Sequence, residues 1–396
     1  MSLIRRVILG RRFCTAVPRR AEDVMSNPDC RPFQLSLRVM YLSSVDNLDT
    51  AAKYARLAVF SRIKAEDTEA AEDTEVTCQS IIKSMVWHKR HKEAYDLYDF
   101  FFNQHKLKPN RRSCNSILES RIQQGLVDEA LDFHRSIKPG MARYYPSEDT
   151  FRVLNKGLVN SGRLDQAETL LKGGKAVDRG IYPDHVAFSN LIRGFLDLGN
   201  LDKATLVLED FKKVCSRIDP SSYYPYHPPF HGEFENRVAF LMAAFVEYWF
   251  KQGKEMEAME CYNQSLFANK FPVLAYTGDA FLEVLLKYGK KKHAWDLYHG
   301  MLTATHKRCF GYSTVKTMVN ECFDMGRCSE AVETYNKAKE KKRFVRGSYV
   351  ITRCCEMGLL SEAESLIAAD GFEYIEGTTF KTMMDAYVRP GESMML

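Results

Sequence analysis

Few residues in this chain stand at spacings that could support catalysis or metal binding. His88 and His91 form an HxxH pair without a glutamate or cysteine at a ligand spacing, and Cys322 and Cys328 are six residues apart and isolated. No GxxxxGK[ST], GxSxG or HExxH motif occurs in the sequence. The carboxylates fall where helices are predicted to start, and capping explains them. We therefore predict a binding protein that is not an enzyme and uses no cofactor, metal or small-molecule substrate.

The strongest concentration of charge lies at the N-terminus. The first 20 residues hold six arginines and no acid, whereas the rest of the chain has a net charge of −1. Arginine pairs that alternate with apolar residues are typical of an organellar transit peptide, so we predict one over residues 1–20, processed after Phe13 or Cys14. The arginine-rich, serine-poor composition favours the mitochondrial matrix over a plastid. The 11 cysteines form no CxxC pair, which fits free thiols in a reducing compartment.

Membrane association is not expected from the sequence. No apolar run approaches the ~18–20 residues that a membrane span requires. The longest candidate, Val238–Phe250, is short and contains Glu247. We predict that it forms a buried helix.

A repeated pair of a glycine and an alanine five residues later organises most of the chain. Successive pairs are spaced by 37, 37, 54, 36, 37 and 32 residues, and they are Gly125/Ala130, Gly162/Ala167, Gly199/Ala204, Gly253/Ala258, Gly289/Ala294, Gly326/Ala331 and Gly358/Ala363. Ala94 extends the series upstream with Lys89 in place of the glycine, Gly391 extends it downstream, and an eroded copy surrounds Ala51. Tandem units of this length predict stacked supersecondary units rather than one globular core.

Each unit is predicted to form a helical hairpin. One helix is predicted to end at the glycine, which adopts the left-handed conformation of a helix C-terminus without steric penalty. A second helix then starts with a polar or acidic cap and runs through the alanine, which allows close approach of two helices. Several second helices are predicted to stop at a proline, at Pro109, Pro146 and Pro183. No period-two alternation indicates a sheet.

With this period, the Gly-Arg-Leu-Asp-Gln-Ala run at 162–167 and the Pro-Asp ends, the chain resembles the pentatricopeptide repeat (PPR) family. Clear copies start near 75, 111, 148, 185, 275 and 312, and weaker ones near 32, 239, 344 and 377. The tetratricopeptide signature of Trp, Leu-Gly and Tyr is absent. The resemblance implies an all-α, right-handed superhelical solenoid that binds single-stranded RNA along its first helices.

In that family one base is read per repeat, by the fifth residue of the first helix and the last residue of the unit. Carried onto this chain, the base-reading positions pair Gln79 with Asn110, Asn115 with Ser147, and Arg152 with Asp184. Four further fifth positions have no clear partner: Ser189, Ala243, Asp279 and Lys316. The pair of Asn115 and Ser147 matches the family pattern best and implies a pyrimidine, whereas the other positions depart from the usual Asn or Thr.

Basic residues on the first helices offer a second mode of RNA binding. The candidates for phosphate contacts are Lys156, Arg193, Lys251 and Lys287. Further basic clusters stand at predicted turns, at 89–92, 111–112, 290–292 and 341–343. Such contacts would give affinity without sequence preference, and the alternative is a solvated rim that aids solubility.

Two irregular segments complete the predicted organisation. The long interval contains a Pro- and aromatic-rich stretch, assigned as an insertion over 215–235 that either contacts a partner or packs against the solenoid. The acidic run Ala65–Glu75 is predicted to be a flexible linker, so that 32–74 hold a degenerate first repeat and this linker. The PPR repeats then occupy 75–214 and 236–396, with the last one partial.

Three functions are compatible with these observations. The first is an organellar RNA-binding factor in mitochondrial gene expression, acting on transcript maturation, stability or translation. The second is a structural subunit of the mitochondrial ribosome that contacts ribosomal RNA and ribosomal proteins. The third is a protein-binding scaffold without RNA. The expected partners are therefore single-stranded or ribosomal RNA, and the second function adds mitoribosomal proteins to them.

Overall fold

The computed structural model describes residues 31–62, 68–137, 148–172, 184–216, 232–266, 271–304, 306, 308–341, 347–370 and 377–388. The predicted transit peptide, Ser147, Pro146, Pro183 and Gly391 lie outside these residues, as does most of the predicted insertion. Every regular element in the described ranges is helical. The chain divides into two compact units, Met1–Leu154 and Asn155–Leu396, with the boundary inside one helix.

The first unit contains three helical hairpins and the start of a seventh helix. Its helices are α1 (Pro32–Ser44), α2 (Leu48–Arg62), α3 (Thr68–Trp87), α4 (His91–Tyr98), α5 (Arg111–Gln123) and α6 (Val127–Ser136), followed by α7 (Glu148–Asn160) across the boundary. A π-helical turn, Asp99–Gln104, prolongs α4. Odd-numbered helices are the first of each hairpin, and α1 packs on α3 and α3 on α5.

The second unit continues the same alternation. Its helices are α8 (Leu164–Lys172), α9 (His185–Asp197), α10 (Leu201–Cys215), α11 (Glu233–Lys251), α12 (Glu255–Leu266), α13 (Ala275–Lys287), α14 (Lys291–Thr303), α15 (Tyr312–Asp324), α16 (Cys328–Lys341), α17 (Ser348–Glu356), α18 (Leu360–Asp370) and α19 (Gly377–Val388). From α9 to α19 each first helix packs on the next first helix, and each second helix packs on the first helix of its own hairpin. The predicted all-α fold of tandem hairpins is confirmed.

One backbone motif joins the two helices of each hairpin. The second residue after the first helix is left-handed at nine places, with φ between 58° and 76°: Asp46, Lys89, Gly125, Gly162, Gly199, Gly253, Gly289, Gly326 and Gly358. At Gly125 the following amide, that of Leu126, donates to Arg121 O at 2.9 Å, which closes the helix end as a Schellman motif. The predicted turns at the glycines are confirmed, and Lys89 and Asp46 adopt the same geometry without a glycine.

The repeated alanines are buried in every hairpin that the structure describes around them. Ala130 and Ala294 are fully buried, as are the seven equivalent alanines 51, 94, 167, 204, 258, 331 and 363. A methyl group at this point lets the helix axes approach closely, and larger buried side chains such as Leu97 and Phe101 fill the space beyond it. The predicted role of the alanine in close packing is confirmed.

Three details of the sequence reading are wrong. Residues 68–74 of the predicted acidic linker form the first turns of α3, because alanine and glutamate favour helix and acids suit a helix N-terminus. Residues 233–235 of the predicted insertion begin α11. Polar caps are also not general for the second helices, since Leu126 and Lys290 stand at N-cap positions without a side-chain hydrogen bond.

Candidate nucleic-acid interface

Three positions on each first helix from α3 to α15 lie on one side of that helix. They stand ten, six and two residues before the left-handed turn residue, and residues four apart are neighbours on a helix surface. We call this side the ladder face. Its members are Gln79, Lys83 and Trp87 on α3; Asn115, Glu119 and Gln123 on α5; Arg152, Lys156 and Asn160 on α7; Ser189, Arg193 and Asp197 on α9; Ala243, Glu247 and Lys251 on α11; Asp279, Glu283 and Lys287 on α13; and Lys316, Asn320 and Asp324 on α15.

The structure brings together one predicted base-reading pair in the first unit. The Asn110 side-chain amide donates to Gln79 Oε1 at 3.2 Å and to Glu75 Oε1 at 2.7 Å. Its carbonyl oxygen accepts from the backbone amide of Ser113 at 2.8 Å, so Asn110 also caps α5. The capping role expected from the sequence is confirmed here, and the two reading positions are held in one hydrogen-bonded group.

The next two base-reading positions are also held by neighbours. Asn115 Oδ1 accepts a hydrogen bond from Thr150 Oγ1 at 2.8 Å, which leaves the amide nitrogen of Asn115 for another acceptor. Arg152 forms an ion pair with Asp149 at 3.1 Å on its own helix. Asp184 caps α9 by accepting from the Val186 amide at 3.1 Å. The structure therefore leaves the amide nitrogen of Asn115 without a partner among the described residues, whereas the guanidinium of Arg152 is held by Asp149.

The base-reading positions of the second unit are less available. Ser189 is buried and Ala243 is fully buried. Burial raises the pKa of Asp279, an effect that hydrogen bonding with Thr314 and Ser313 partly offsets. Lys316 is exposed, with its ammonium group 6.0 Å from the centre of the Tyr312 ring. Only Lys316 in this set presents a polar group fully to solvent.

Glu247 links three first helices of the second unit through charge. Its side chain is buried, with Oε2 bonded to Arg193 of α9 and Oε1 at 2.6 Å from Lys287 Nζ of α13. A carboxylate in this position is stabilised only by such partners, because burial of an unpaired charge is costly. Arg193 and Lys287, two of the predicted phosphate contacts, thus already hold an anionic group of the protein.

The remaining phosphate candidates differ from each other. Lys251 lies 2.7 Å from Asp197 Oδ1 of the preceding first helix. Lys156 is exposed and contacts no carboxylate among the described residues. Of the four candidates, only Lys156 has no carboxylate partner among the described residues. The other three would have to leave a carboxylate before they could bind a phosphate.

The basic turn clusters divide in the same way. In the second unit Lys290 is bonded to Glu255, and Lys291 lies 2.7 Å from Glu321. In the first unit Arg90 is bonded to Asp49 and Glu93, at 2.6 and 3.0 Å. The exposed residues Lys83, Lys89, Lys92, Arg111 and Arg112 contact no carboxylate in the ranges that the structure describes. Exposed cations without a carboxylate partner among the described residues therefore lie at the end of α3 and the start of α5, and Lys292 of the second unit is another.

An aromatic and basic cluster that sequence reasoning missed joins α9, α11 and α13. The His185 ring lies 4.9 Å from the rings of Phe240 and Tyr276, and Arg237 Nη1 is 3.2 Å from His185 Nδ1. Arg237 also pairs with Glu233 at 3.3 Å. The sequence holds little sign of this cluster, because its residues come from three helices that are far apart in the chain and no local pattern connects them.

The histidines of the HxxH pair serve separate contacts. His88 Nε2 is 2.8 Å from Asp46 Oδ1, whereas His91 Nδ1 is 2.8 Å from Ser120 Oγ. No group of three or more His, Cys, Asp or Glu residues that could hold a metal ion occurs in the described part of the chain. Among the same residues, no helix is long and apolar enough to cross a membrane.

Comparison with known proteins places this repeat architecture in a family. The chain is 58% identical, over 99% of its own length and 94% of the relative's, to the mitochondrial pentatricopeptide repeat-containing protein At3g60980 of Arabidopsis thaliana. The chain belongs to the pentatricopeptide repeat family. The family model for a PPR repeat matches residues 186–214, which form α9 and most of α10. A second Arabidopsis thaliana PPR-containing protein, At1g10270, is 39% identical over 85 residues, which are 19% of this chain and 9% of that protein.

Solved structures of similar helical arrays also match this PPR protein. The PPR10 protein from maize is 15% identical with a TM-score of 0.32, and PPR10 in complex with an 18-nucleotide psaJ RNA element is 14% identical with a TM-score of 0.36. Both matches cover 93% of this chain, which spans 65% of the PPR10 chain.

Proposed function

We propose that this PPR protein binds single-stranded RNA in the mitochondrion and acts in gene expression there, on transcript maturation, stability or translation. The observation that carries the proposal is the hydrogen-bonded pair of Gln79 and Asn110 beside Asn115 on the ladder face of the first unit. Side-chain amides held by neighbours are suited to hydrogen bonding with the edges of unstacked bases. The protein would bind its target without chemical conversion, as a helical repeat scaffold.

Base recognition is assigned chiefly to the first unit. Gln79 with Asn110, and Asn115 with Ser147, are the positions that we assign to base edges. We assign no strong base preference to the positions that carry no side-chain amide, which are Arg152, Asp184, Ser189, Asp279 and Lys316. Lys156 is the first candidate for a phosphate contact, because it is exposed and unpaired among the described residues.

Two observations support the mitochondrion as the place of action. The basic, acid-free segment 1–20 has the composition of a transit peptide. The relative that is 58% identical carries the word mitochondrial in its name. We therefore assign the mature protein to the matrix, with the repeats beginning near residue 32.

The structural role in the mitochondrial ribosome remains a second candidate, favoured by a specific observation. Arg193, Lys251 and Lys287 are compensated by Glu247 and Asp197, so the ladder face of the second unit carries little net positive charge. A surface of this kind suits protein neighbours at least as well as a free RNA strand.

Crosslinking in isolated mitochondria tests the two candidates together. The full chain, with a C-terminal affinity tag, is irradiated in intact mitochondria and purified under denaturing conditions, and the bound RNA is sequenced. One or two discrete transcripts support the proposed factor. Recovery of ribosomal RNA, with stoichiometric co-sedimentation with a ribosomal subunit, supports the second candidate. The absence of crosslinked RNA, also at low salt with purified protein, rejects RNA binding and favours a protein scaffold.

A contact-specific test uses the amide positions. Asn115→Ala removes the free amide edge from the ladder face, and we expect about 5-fold to 100-fold weaker binding of the crosslinked transcript, as for loss of one good base contact. Gln123→Ala, eight residues further along the same side of α5, is the matched control. Equal loss in both variants would reject base reading at Asn115.

A further inference from the structure

Trp87 is the most exposed aromatic side chain in the described part of the chain. Its exposed fraction is 80%, compared with 56% for Phe33 and Tyr41. The other two tryptophans are partly buried: Trp249 packs on Tyr248 and under Lys254, and Trp295 packs on Tyr298. An indole that contacts so little of its own protein contributes little to the fold, and exposed tryptophans commonly serve recognition.

The position of Trp87 makes this exposure specific. It stands two residues before the left-handed Lys89, and the same position on the first helices α5 to α15 is always polar: Gln123, Asn160, Asp197, Lys251, Lys287 and Asp324. On α3 the two preceding members of the ladder face are Lys83 and Gln79. The helix geometry places this amide, ammonium group and indole within about 12 Å along one side of α3.

Three lysines close to Trp87 in the sequence have no carboxylate partner among the described residues. Lys83, Lys89 and Lys92 are exposed, and no carboxylate among the described residues contacts them. The acids at this turn have other partners: Asp46 is bonded to His88, and Asp49 and Glu93 are bonded to Arg90. Glu75 accepts a hydrogen bond from Asn110 at 2.7 Å, and Glu119 accepts one from Gln123 at 3.4 Å. This arrangement differs from α11 and α13, where Glu247 occupies the cations of the ladder face.

We propose that Gln79, Lys83 and Trp87 form a site on α3 for one nucleotide of single-stranded RNA, with the base stacked on the indole of Trp87. Lys83 contacts a phosphate and the Gln79 amide faces a base edge, while Lys89 and Lys92 add affinity without sequence preference. The site rests on the proposed RNA binding but deepens it, since stacking accepts any base. It would anchor the strand at the first unit, next to the amides of Asn110 and Asn115.

Fluorescence of Trp87 tests the stacking directly. In the full chain with Trp249→Phe and Trp295→Phe, Trp87 is the only tryptophan. The probe is a pool of 20-nucleotide single-stranded RNAs of random sequence, titrated at low salt. Because a stacked base quenches indole emission, we expect saturable quenching that follows the binding curve measured by anisotropy of labelled RNA.

Variants separate stacking from other effects. Trp87→Leu keeps an apolar side chain and should bind about 10-fold more weakly, whereas Trp87→Phe should lose less. Lys83→Met should reduce the slope of log affinity against log salt by roughly 0.7, the value for one phosphate contact on a single strand. Met256→Ala, at an 84% exposed residue of the second unit, should bind as the parent does.

The outcomes distinguish this site from the proposed function. If RNA binds while Trp87 emission and the affinity of Trp87→Leu stay unchanged, the nucleotide site is wrong and RNA binding stands. If the parent protein binds no RNA at low salt, both are wrong. Circular dichroism of Trp87→Leu serves as the folding control, and the exposed position of the side chain predicts an unchanged spectrum.

Discussion

The buried carboxylate of Glu247 gives the sharpest prediction about stability. Glu247→Gln keeps the size and one acceptor oxygen of the side chain but removes the negative charge between Arg193 and Lys287. The carboxylate that joins the two cations is then lost, although Glu283 and Asp197 still attract Arg193. We expect the variant to fold with the same helical content and to unfold at a lower urea concentration.

The exposed fractions of the three side chains set the size of the effect. They are 9% for Glu247, 37% for Arg193 and 54% for Lys287. Breaking a fully buried pair costs about 3–5 kcal/mol, and an exposed pair contributes about 0–1 kcal/mol. Because both cations can turn to water, we expect an intermediate loss of about 1–2 kcal/mol.

Urea unfolding followed by far-ultraviolet circular dichroism measures this loss. With a slope of about 1–3 kcal/mol per molar urea, the midpoint should fall by roughly 0.3–2 M. Glu257→Gln is the control, since Glu257 on α12 is exposed and forms no ion pair with the described residues. A midpoint for Glu247→Gln equal to or above that of the parent protein would refute the argument that the carboxylate holds three helices together. Combining Glu247→Gln with Lys287→Met should recover part of the lost free energy of unfolding. Comparison of the double variant with the two single variants gives the coupling energy of the pair.

Three further predictions concern turns, packing and pH. Lys89→Gly should raise the free energy of unfolding by about 0.5–1 kcal/mol, because φ at Lys89 is 58° and glycine adopts this angle without strain. Lys92→Gly, inside α4, is the control and should destabilise the protein. An unchanged urea midpoint for Lys89→Gly would contradict the prediction. Gly194→Ala should lower the free energy of unfolding by about 1–3 kcal/mol, because an added Cβ would lie 2.7 Å from Leu164 Cδ2 and 2.8 Å from Val159 Cγ1. Gly300→Ala is the control, since its added Cβ meets nothing within 4 Å. Equal urea midpoints for the two variants would show that the helix interface adjusts to the extra methyl group. Burial raises the pKa of Cys114 and Cys261 from 9.0 to about 11 and that of Cys215 and Cys354 to about 12, so the unfolded chain loses these protons first. Stability should therefore be complete below pH 9 and fall as the pH rises towards 11–12, by up to roughly 1.4 kcal/mol per thiol and pH unit, and Cys114→Ala should weaken that dependence in thermal melts.

The sequence was sufficient for the fold because its signals are local and repeated. Gly125 and Ala130 report a backbone turn and a helix contact that each unit must make, so the same pair recurs along the chain. Lys89 illustrates a turn that was found only through the alanine that follows it, since the backbone geometry tolerates a non-glycine residue. The linker predicted over 68–74 is wrong because its acidic charge favours a flexible segment, whereas its high helix propensity makes it part of α3.

The candidate interface could be predicted only in part. The register of Asn115 and Gln79 follows from counting along each repeat, but their hydrogen bonds depend on neighbours 31–35 residues away. Arg193, Lys251 and Lys287 were read as free cations, because a count of charges does not show which carboxylate lies opposite. Glu247 within the apolar run Val238–Phe250 was the one available sign, since a lone acid in a buried helix requires a cationic partner.

The left-handed turns also bear on how such a chain can change its length. Every hairpin that ends its first helix in this geometry presents neighbours with the same buried alanine and the same helix sides. Duplicating or excising one whole hairpin therefore recreates contacts that already exist, while removing a single helix exposes two apolar surfaces. Evolution can in this way add or delete recognition units in steps of one repeat, without the redesign that a globular core would demand.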